Sequence, residues 1–181
     1  TRSDGSIGDS HCTWRLGSRI RHALRSNTRA NSRRNIAAHY DLGNAFYAAW
    51  LDEDLNYSSG IYGDADTTLE RAQIAKLTRV ADLLDLKGGE NILEIGCGWG
   101  ALAELLVSNN RCRVTGLTLS TEQMTHARGR LSAFGDCADI RLQDYRDVTG
   151  TFDRIVSIEM MEAVGEKFWP AYFSKIASCL S

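Results

Sequence analysis

Glu94, Gly96, Gly98 and Gly100 alternate along the run Asn91-Ile92-Leu93-Glu94-Ile95-Gly96-Cys97-Gly98-Trp99-Gly100. Ile92 to Ile95 reads as a buried strand, the glycines as a tight turn, and Ala101 as the opening of a helix. Gly96 and Gly98 let the backbone take positive φ and let a ligand lie on main-chain N–H groups with no Cβ in between. Spacing separates two cofactor classes here. A dinucleotide turn is G-x-G-x-x-G, with a pyrophosphate on the helix N-terminus. This chain has E-x-G-x-G-x-G, with an acid inside the strand. A carboxylate at that place favours a ligand bearing an ammonium and a sulfonium over one bearing two phosphates, and S-adenosylmethionine has that charge pattern. The plainer alternative is a glycine-rich strand-to-helix turn with no ligand.

Two further places could complete such a site. The end of a second strand, where an acid would usually take the ribose hydroxyl protons, is Thr118, and no acid follows until Glu122; Gln123 can offer an amide instead. At the end of a third strand, Asp144 offers a carboxylate to an adenine amino group and Tyr145 a ring to its face, with Arg146 next in line. Asp144 is equally the residue type of a turn or cap.

The elements that must position these residues follow from the pattern around them. Thr67 with Glu70 forms a capping box, opening a helix whose apolar face is Leu69, Ile74, Leu77, Val80, Ala81 and Leu84 and which Gly88-Gly89 stops. A helix runs from Ala101 to Val107, and a second strand from Arg113 to Thr118. Ser120 with Gln123 caps a helix to about Phe134. Asp139–Gln143 and Phe152–Ile158 read as third and fourth strands, the latter apolar enough to be central, and Phe168–Leu180 as a closing helix. Strands alternating with helices predict an α/β, Rossmann-like fold with a parallel sheet, right-handed crossovers and a ligand at the strands' carboxyl ends. The pattern ends after the fourth strand and its helix, so the expectation is a truncated fold, or a half-sheet that needs a partner at its edge.

The 181 residues and 43% hydrophobic content suit one domain with a substantial core. Charge is uneven: residues 1–34 hold eight arginines against Asp4 and Asp9, a net +6, and since the whole chain is −2 the rest is −8. Leu16, Ile20 and Leu24 fall on one helical face between those arginines, an amphipathic pattern that suits anionic lipid, nucleic acid or a solvated linker. The division expected is a basic arm over 1–34, a helical covering segment over 35–87 and the cofactor-binding domain over 88–181. The five cysteines have no C-x-x-C spacing, which argues against a zinc site or a disulfide framework and for a reducing cytoplasm. The sequence has no run of about 18 apolar residues, so any membrane contact is expected to be peripheral.

The motifs taken together resemble a known family. H-Y-D-L-G-N at His39 to Asn44, Y-S-S-G at Tyr57 to Gly60, L-E-x-A-Q at Leu69 to Gln73, L-E-I-G-C-G-W-G at Leu93 to Gly100, G-L-T-L-S-x-E-Q at Gly116 to Gln123, L-Q-D-Y-R-D at Leu142 to Asp147 and F-D-R-I-V-S-I-E-M-M-E-A-V-G at Phe152 to Gly165 are similar to the cyclopropane-fatty-acyl-phospholipid synthases and the mycolic acid cyclopropane synthases. The resemblance implies a class I methyltransferase fold and S-adenosylmethionine contacts at Tyr57 and Ser58, at Glu94, Ile95, Gly96, Cys97, Gly98 and Gly100, at Thr118, Leu119 and Gln123, and at Tyr145 and Arg146. It also implies a bound bicarbonate as base, held partly by Glu162 and by the residue after Y-S, which is often cysteine and here is Ser59. Glu162 also fits an ordinary helix-start acid.

The implied chemistry is methyl transfer to an alkene of an acyl chain in a phospholipid, closing a cyclopropane ring or leaving a methyl branch. It needs a dry site, a base and aromatic faces that stabilise a cation; Tyr40, Phe46, Tyr47 and Trp99 are candidates, although most such aromatics simply pack. The expected partner is unsaturated phospholipid at the inner face of the membrane, with a second copy or a missing C-terminal complement completing the site and no nucleic acid involved. Small-molecule N-methylation and a non-catalytic cofactor-binding fragment are the alternatives.

Overall fold

The computed structural model describes residues 43–181. The basic arm, its amphipathic helix, His39 and Tyr40 lie outside the described residues.

Among the described residues, four strands form one parallel sheet: β1 Asn91–Ile95, β2 Arg113–Thr118, β3 Ala138–Leu142 and β4 Arg154–Val156, in the order β3-β2-β1-β4. The register pairs Glu94 with Gly116 on one side and with Val156 on the other, so the acid of the glycine run sits on the central strand. The helices are α1 Asn44–Ala48, α2 Leu69–Leu84, α3 Ala101–Asn110, α4 Thr121–Arg130, α5 Met161–Val164 and α6 Trp169–Cys179. Each β-to-α crossover returns the chain to a parallel neighbour, which places the turns after β1, β2, β3 and β4 along one edge of the sheet.

Two apolar layers flank the sheet. Ile92 of β1 packs with Leu77 of α2, Leu102 and Leu106 of α3, and Val114 and Ile140. Leu93 and Ile95 pack on the opposite layer with Leu117, Phe152, Tyr172 and Cys179. Because side chains alternate along a strand, Glu94 projects to the same face as Ile92, toward α2. A smaller cluster of Tyr47, Leu55 and Trp99 lies beyond the end of the sheet.

Several sequence expectations shift. The N-cap of α2 is Thr68, not Thr67: Thr68 Oγ1 accepts from the Arg71 N–H at 3.4 Å, while Thr67 Oγ1 donates to Asp64 at 2.8 Å. The Thr67–Glu70 box is therefore displaced by one residue. The same helix ends at Asp85, in left-handed conformation at φ 48°, three residues before the Gly88-Gly89 stop. Its buried face is Ala72, Gln73, Lys76 and Leu77, whereas Ile74 is 56% exposed. The helix after β2 ends at Arg130 rather than near Phe134, and a 3₁₀ turn at Ser132–Cys137 follows. β3 begins one residue earlier than expected, and β4 is shorter than Phe152–Ile158, with Phe152 making an isolated bridge to Leu180.

Candidate functional site

A cavity of about 520 Å³ opens at the carboxyl ends of β1, β2 and β4, under the segment 55–58 and the face of α2. Its floor is the glycine turn. Gly96 sits at φ 83°, and a Cβ there would fall 2.7 Å from Met160 Sδ. A Cβ at Gly98 would meet nothing within 4 Å, so the backbone there is open to a ligand. Gly100 does not line the cavity; a Cβ on it would press on the Ala127 Cβ at 3.1 Å, so it serves the packing of α3 on α4. One detail differs from expectation. The N–H groups of Gly96 and Cys97 both donate to the Leu117 carbonyl at 2.9 Å, so these two amides knit β1 to β2 rather than meet a ligand.

Glu94 is the dominant electrostatic feature. It is 5% exposed, its Oε2 has no hydrogen-bond partner among the described residues, and burial pushes its pKa up to about 8 against the opposing pull of Lys76. A buried carboxylate oxygen without a partner is costly, and a cationic ligand would satisfy it. Ile95 and Cys97 also line the cavity, and burial pushes the Cys97 thiol well up, which keeps it protonated and inert.

The wall from β2 and α4 is built by a local capping network. Thr118 Oγ1 donates to Gln123 Oε1 at 2.7 Å and accepts from the Ser120 N–H at 3.1 Å, and Ser120 Oγ accepts from the Gln123 N–H. This fixes Gln123 beside Leu119 with its amide oxygen occupied, leaving the Nε2 hydrogens for a ligand. Tyr145 closes the far side, held edge-to-face against Tyr172 at 5.0 Å. Asp144 and Arg146 do not line the cavity. Asp144 caps the turn Tyr145–Asp147 and accepts from Arg146 Nε at 2.8 Å, an ion pair that fits the cap alternative.

The covering segment supplies Tyr57 and Ser58. Tyr57 stands edge-on to Tyr47 and Trp50. Ser58 is gripped by α2: its Oγ accepts from Lys76 Nζ at 2.6 Å and its carbonyl from Gln73 Nε2 at 2.7 Å. Ser59 lies outside the lining, its N–H donating to Glu159 Oε1 at 2.8 Å, while Glu159 and Glu162 both reach the cavity. Of the aromatics proposed for cation stabilisation, Trp99 lines the cavity, with its Nε1 donating to Asn44 Oδ1; Phe46 and Tyr47 do not.

Sequence reasoning missed Asn56, Gln73, Lys76, Gln143 and Glu159, all but Gln73 in the lining. The signal for Gln73 and Lys76 was present: they share a helical stripe with Ala72 and Leu77, and polar residues inside a buried stripe are worth noticing.

The residues present fit S-adenosylmethionine. An unpartnered buried carboxylate suits its positive groups, the Gln123 amide its ribose hydroxyls, and the Tyr145 ring its purine.

Comparison with known proteins agrees. The family model described as mycolic acid cyclopropane synthetase matches residues 27–181. The chain is 43% identical over 158 residues to tuberculostearic acid methyltransferase UfaA1 of Mycobacterium tuberculosis, covering 82% of this chain and 37% of that protein. It is 46% identical over 138 residues to cyclopropane-fatty-acyl-phospholipid synthase of Escherichia coli, covering 76% and 35%. Among solved structures, mycolic acid cyclopropane synthase CmaA1 complexed with SAH and CTAB superposes with a TM-score of 0.78 at 34% identity, covering 82% of this chain and 53% of that one. Coclaurine N-methyltransferase bound to N-methylheliamine and SAH gives 0.74 at 25% identity, covering 81% and 43%. The chain thus spans a third to two fifths of these curated relatives' length, and its sheet order and helix placement are those of the Rossmann-like class I methyltransferase fold. By the extent of that match, the chain belongs to the mycolic acid cyclopropane synthetase family.

Proposed function

We propose that this chain carries the cofactor site of an S-adenosylmethionine-dependent C-methyltransferase that modifies the double bond of an unsaturated acyl chain in a phospholipid, giving a cyclopropane ring or a methyl branch. The observation that supports it most is the unpartnered Glu94 carboxyl oxygen in the same cavity as the open backbone of Gly98. Relatives of both outcomes, a cyclopropane synthase and a tuberculostearic acid methyltransferase, support the substrate class.

When bound, the cofactor would supply an electrophilic methyl carbon on a sulfonium. Glu94 holds the positive amino-acid end, Gln123 orients the ribose and Tyr145 covers the base. Trp99 and Tyr57, which line the cavity, would offer their rings to the charge that develops on the alkene carbon, each contributing about 0.5–2 kcal/mol; Tyr40, outside the described residues, is assigned the same role by its sequence position alone. Glu162 at the cavity rim would hold a bicarbonate that takes the proton from the new methyl group, without Ser59, which stands outside the lining with its N–H on Glu159. We place the protein at the cytoplasmic face of the membrane as a peripheral enzyme, with the arginines of residues 1–34 attracting anionic headgroups at about 1 kcal/mol per charge. No helix among the described residues is long and apolar enough to cross a membrane.

The test is calorimetric titration with S-adenosylmethionine of the chain and of Glu94→Gln, followed by incubation with vesicles of unsaturated phospholipid and mass spectrometry of the lipid. Tight binding that weakens in Glu94→Gln, with a methylene added to the acyl chain, is the expected result. Binding with no lipid product would reduce the proposal to a cofactor-binding unit, and absence of binding would remove it.

A further inference from the structure

Lys76 is the only basic side chain among the described residues that line the cavity, and it is 6% exposed on the inner face of α2. Its ammonium donates to Ser58 Oγ at 2.6 Å and reaches Asn56 Oδ1 at 3.5 Å. Asn56 in turn is tied to Asp52, its N–H and Nδ2 donating to the two carboxylate oxygens at 2.7 Å each. Asp52–Asn56–Lys76–Ser58 is thus one buried chain of hydrogen bonds joining the covering segment to α2. The charged groups acting on Lys76 are Asp52 behind it, Glu159 from the turn after β4 and Glu94 from β1. Three carboxylates therefore surround one ammonium, which burial alone would tend to neutralise.

Resting on the reading that this cavity takes S-adenosylmethionine, we propose that Lys76 is a positioning residue with two tasks: it fixes Tyr57 and Ser58 over the cofactor through the Ser58 hydroxyl, and it supplies the positive charge that helps the buried Glu94, neutral in the ligand-free fold, to give up its proton as a cationic ligand binds. The physical reason is symmetrical. A carboxylate at 5% exposure is opposed by desolvation, and Lys76 is the charge that works against that opposition. A lysine set between the covering segment and the floor also couples the two, since losing its charge loosens Ser58 and makes Glu94 hold its proton more firmly.

The test compares the full chain with Lys76→Gln, which keeps a donor but not the charge, and Lys76→Arg, which keeps the charge. Binding of S-adenosylmethionine is titrated from pH 6 to 9 in two buffers of different ionisation enthalpy, which reads affinity and the protons released together. The midpoint of the rise in affinity should move up by about one pH unit in Lys76→Gln, with more protons released on binding near pH 8, and should stay put in Lys76→Arg. An unmoved midpoint in Lys76→Gln with binding retained overturns the proposal while leaving the cofactor assignment intact; failure of the unsubstituted chain to bind at any pH overturns both. A second measurement covers poor folding of the variant. The loss of Tm caused by Lys76→Met should shrink in a Glu94→Gln background, where no buried carboxylate needs a counter-charge, and an equal loss in both backgrounds overturns the proposal.

Discussion

Ser59 and Glu159 are a hundred residues apart in sequence, and the Ser59 N–H donates to Glu159 Oε1 at 2.8 Å. Glu159 reaches it from a left-handed backbone at φ 49°, a conformation that L side chains adopt only when their surroundings impose it. The hydrogen bond fastens the covering segment to the turn after β4. Glu159→Ala keeps the strained backbone and loses the fastening, at about 1 kcal/mol, so S-adenosylmethionine binding should weaken about fivefold. Glu159→Gln keeps an acceptor and should bind nearly as the unsubstituted chain does. Intrinsic fluorescence titration of the three proteins would check this, and equal affinities would disprove the fastening.

Glu94 gives a pH signature of its own. Its folded-state pKa of about 8 lies above the ordinary glutamate value of 4.5, so the neutral acid is the form that the ligand-free fold favours. The stability it contributes is fully present below about pH 4.5 and is lost as pH rises through 8, at up to about 1.4 kcal/mol per pH unit. Glu94→Gln should therefore unfold at a higher temperature than the unsubstituted chain at pH 8.5, with the gap closing toward pH 5. Ligand binding runs the other way, since a cationic ligand favours the carboxylate: affinity should climb toward pH 8 and then level. Differential scanning calorimetry with and without ligand reads both slopes.

Gly96→Val adds a branched side chain at φ 83°, where its Cβ meets Met160 Sδ at 2.7 Å. Strain of about 1–3 kcal/mol is expected, together with loss of cofactor binding because Met160 lines the same cavity. Chemical denaturation and calorimetry would show a destabilised fold that no longer binds.

The cap of α2 is a clean control remote from the site. Thr68→Ala should cost about 1 kcal/mol, and Thr67→Ala distinctly less, because only Thr68 Oγ1 accepts from a first-turn amide of the helix. Reversal of that order in urea midpoints would restore the displaced capping box.

How much was legible in the sequence depended on whether the signal was local. The glycine turn, the Ser120–Gln123 cap and the strand–helix alternation are written within a few residues of themselves, and the sheet is parallel as that alternation predicts, although the apolar fourth strand, read as central, stands at an edge among the described residues. The stripe of α2 was misread because Ile74 looks like core and Lys76 does not, yet the cavity beneath α2 needs polar groups and the solvent side can carry an isoleucine. Asp144 was equally ambiguous, since its partner Arg146 is two residues away and a carboxylate aimed at a ligand has the same local sequence as one aimed at a turn. The contacts of Ser58 with Lys76 and of Ser59 with Glu159 join distant segments and have no local pattern to betray them.

Because the Gly96 and Cys97 amides both point at the Leu117 carbonyl, the turn has spent on its own sheet the dipoles with which a dinucleotide turn would meet phosphate. A pyrophosphate brought here would find those donors taken and the Glu94 carboxyl beneath it. The cavity thus sorts nucleotides by the sign of their charge.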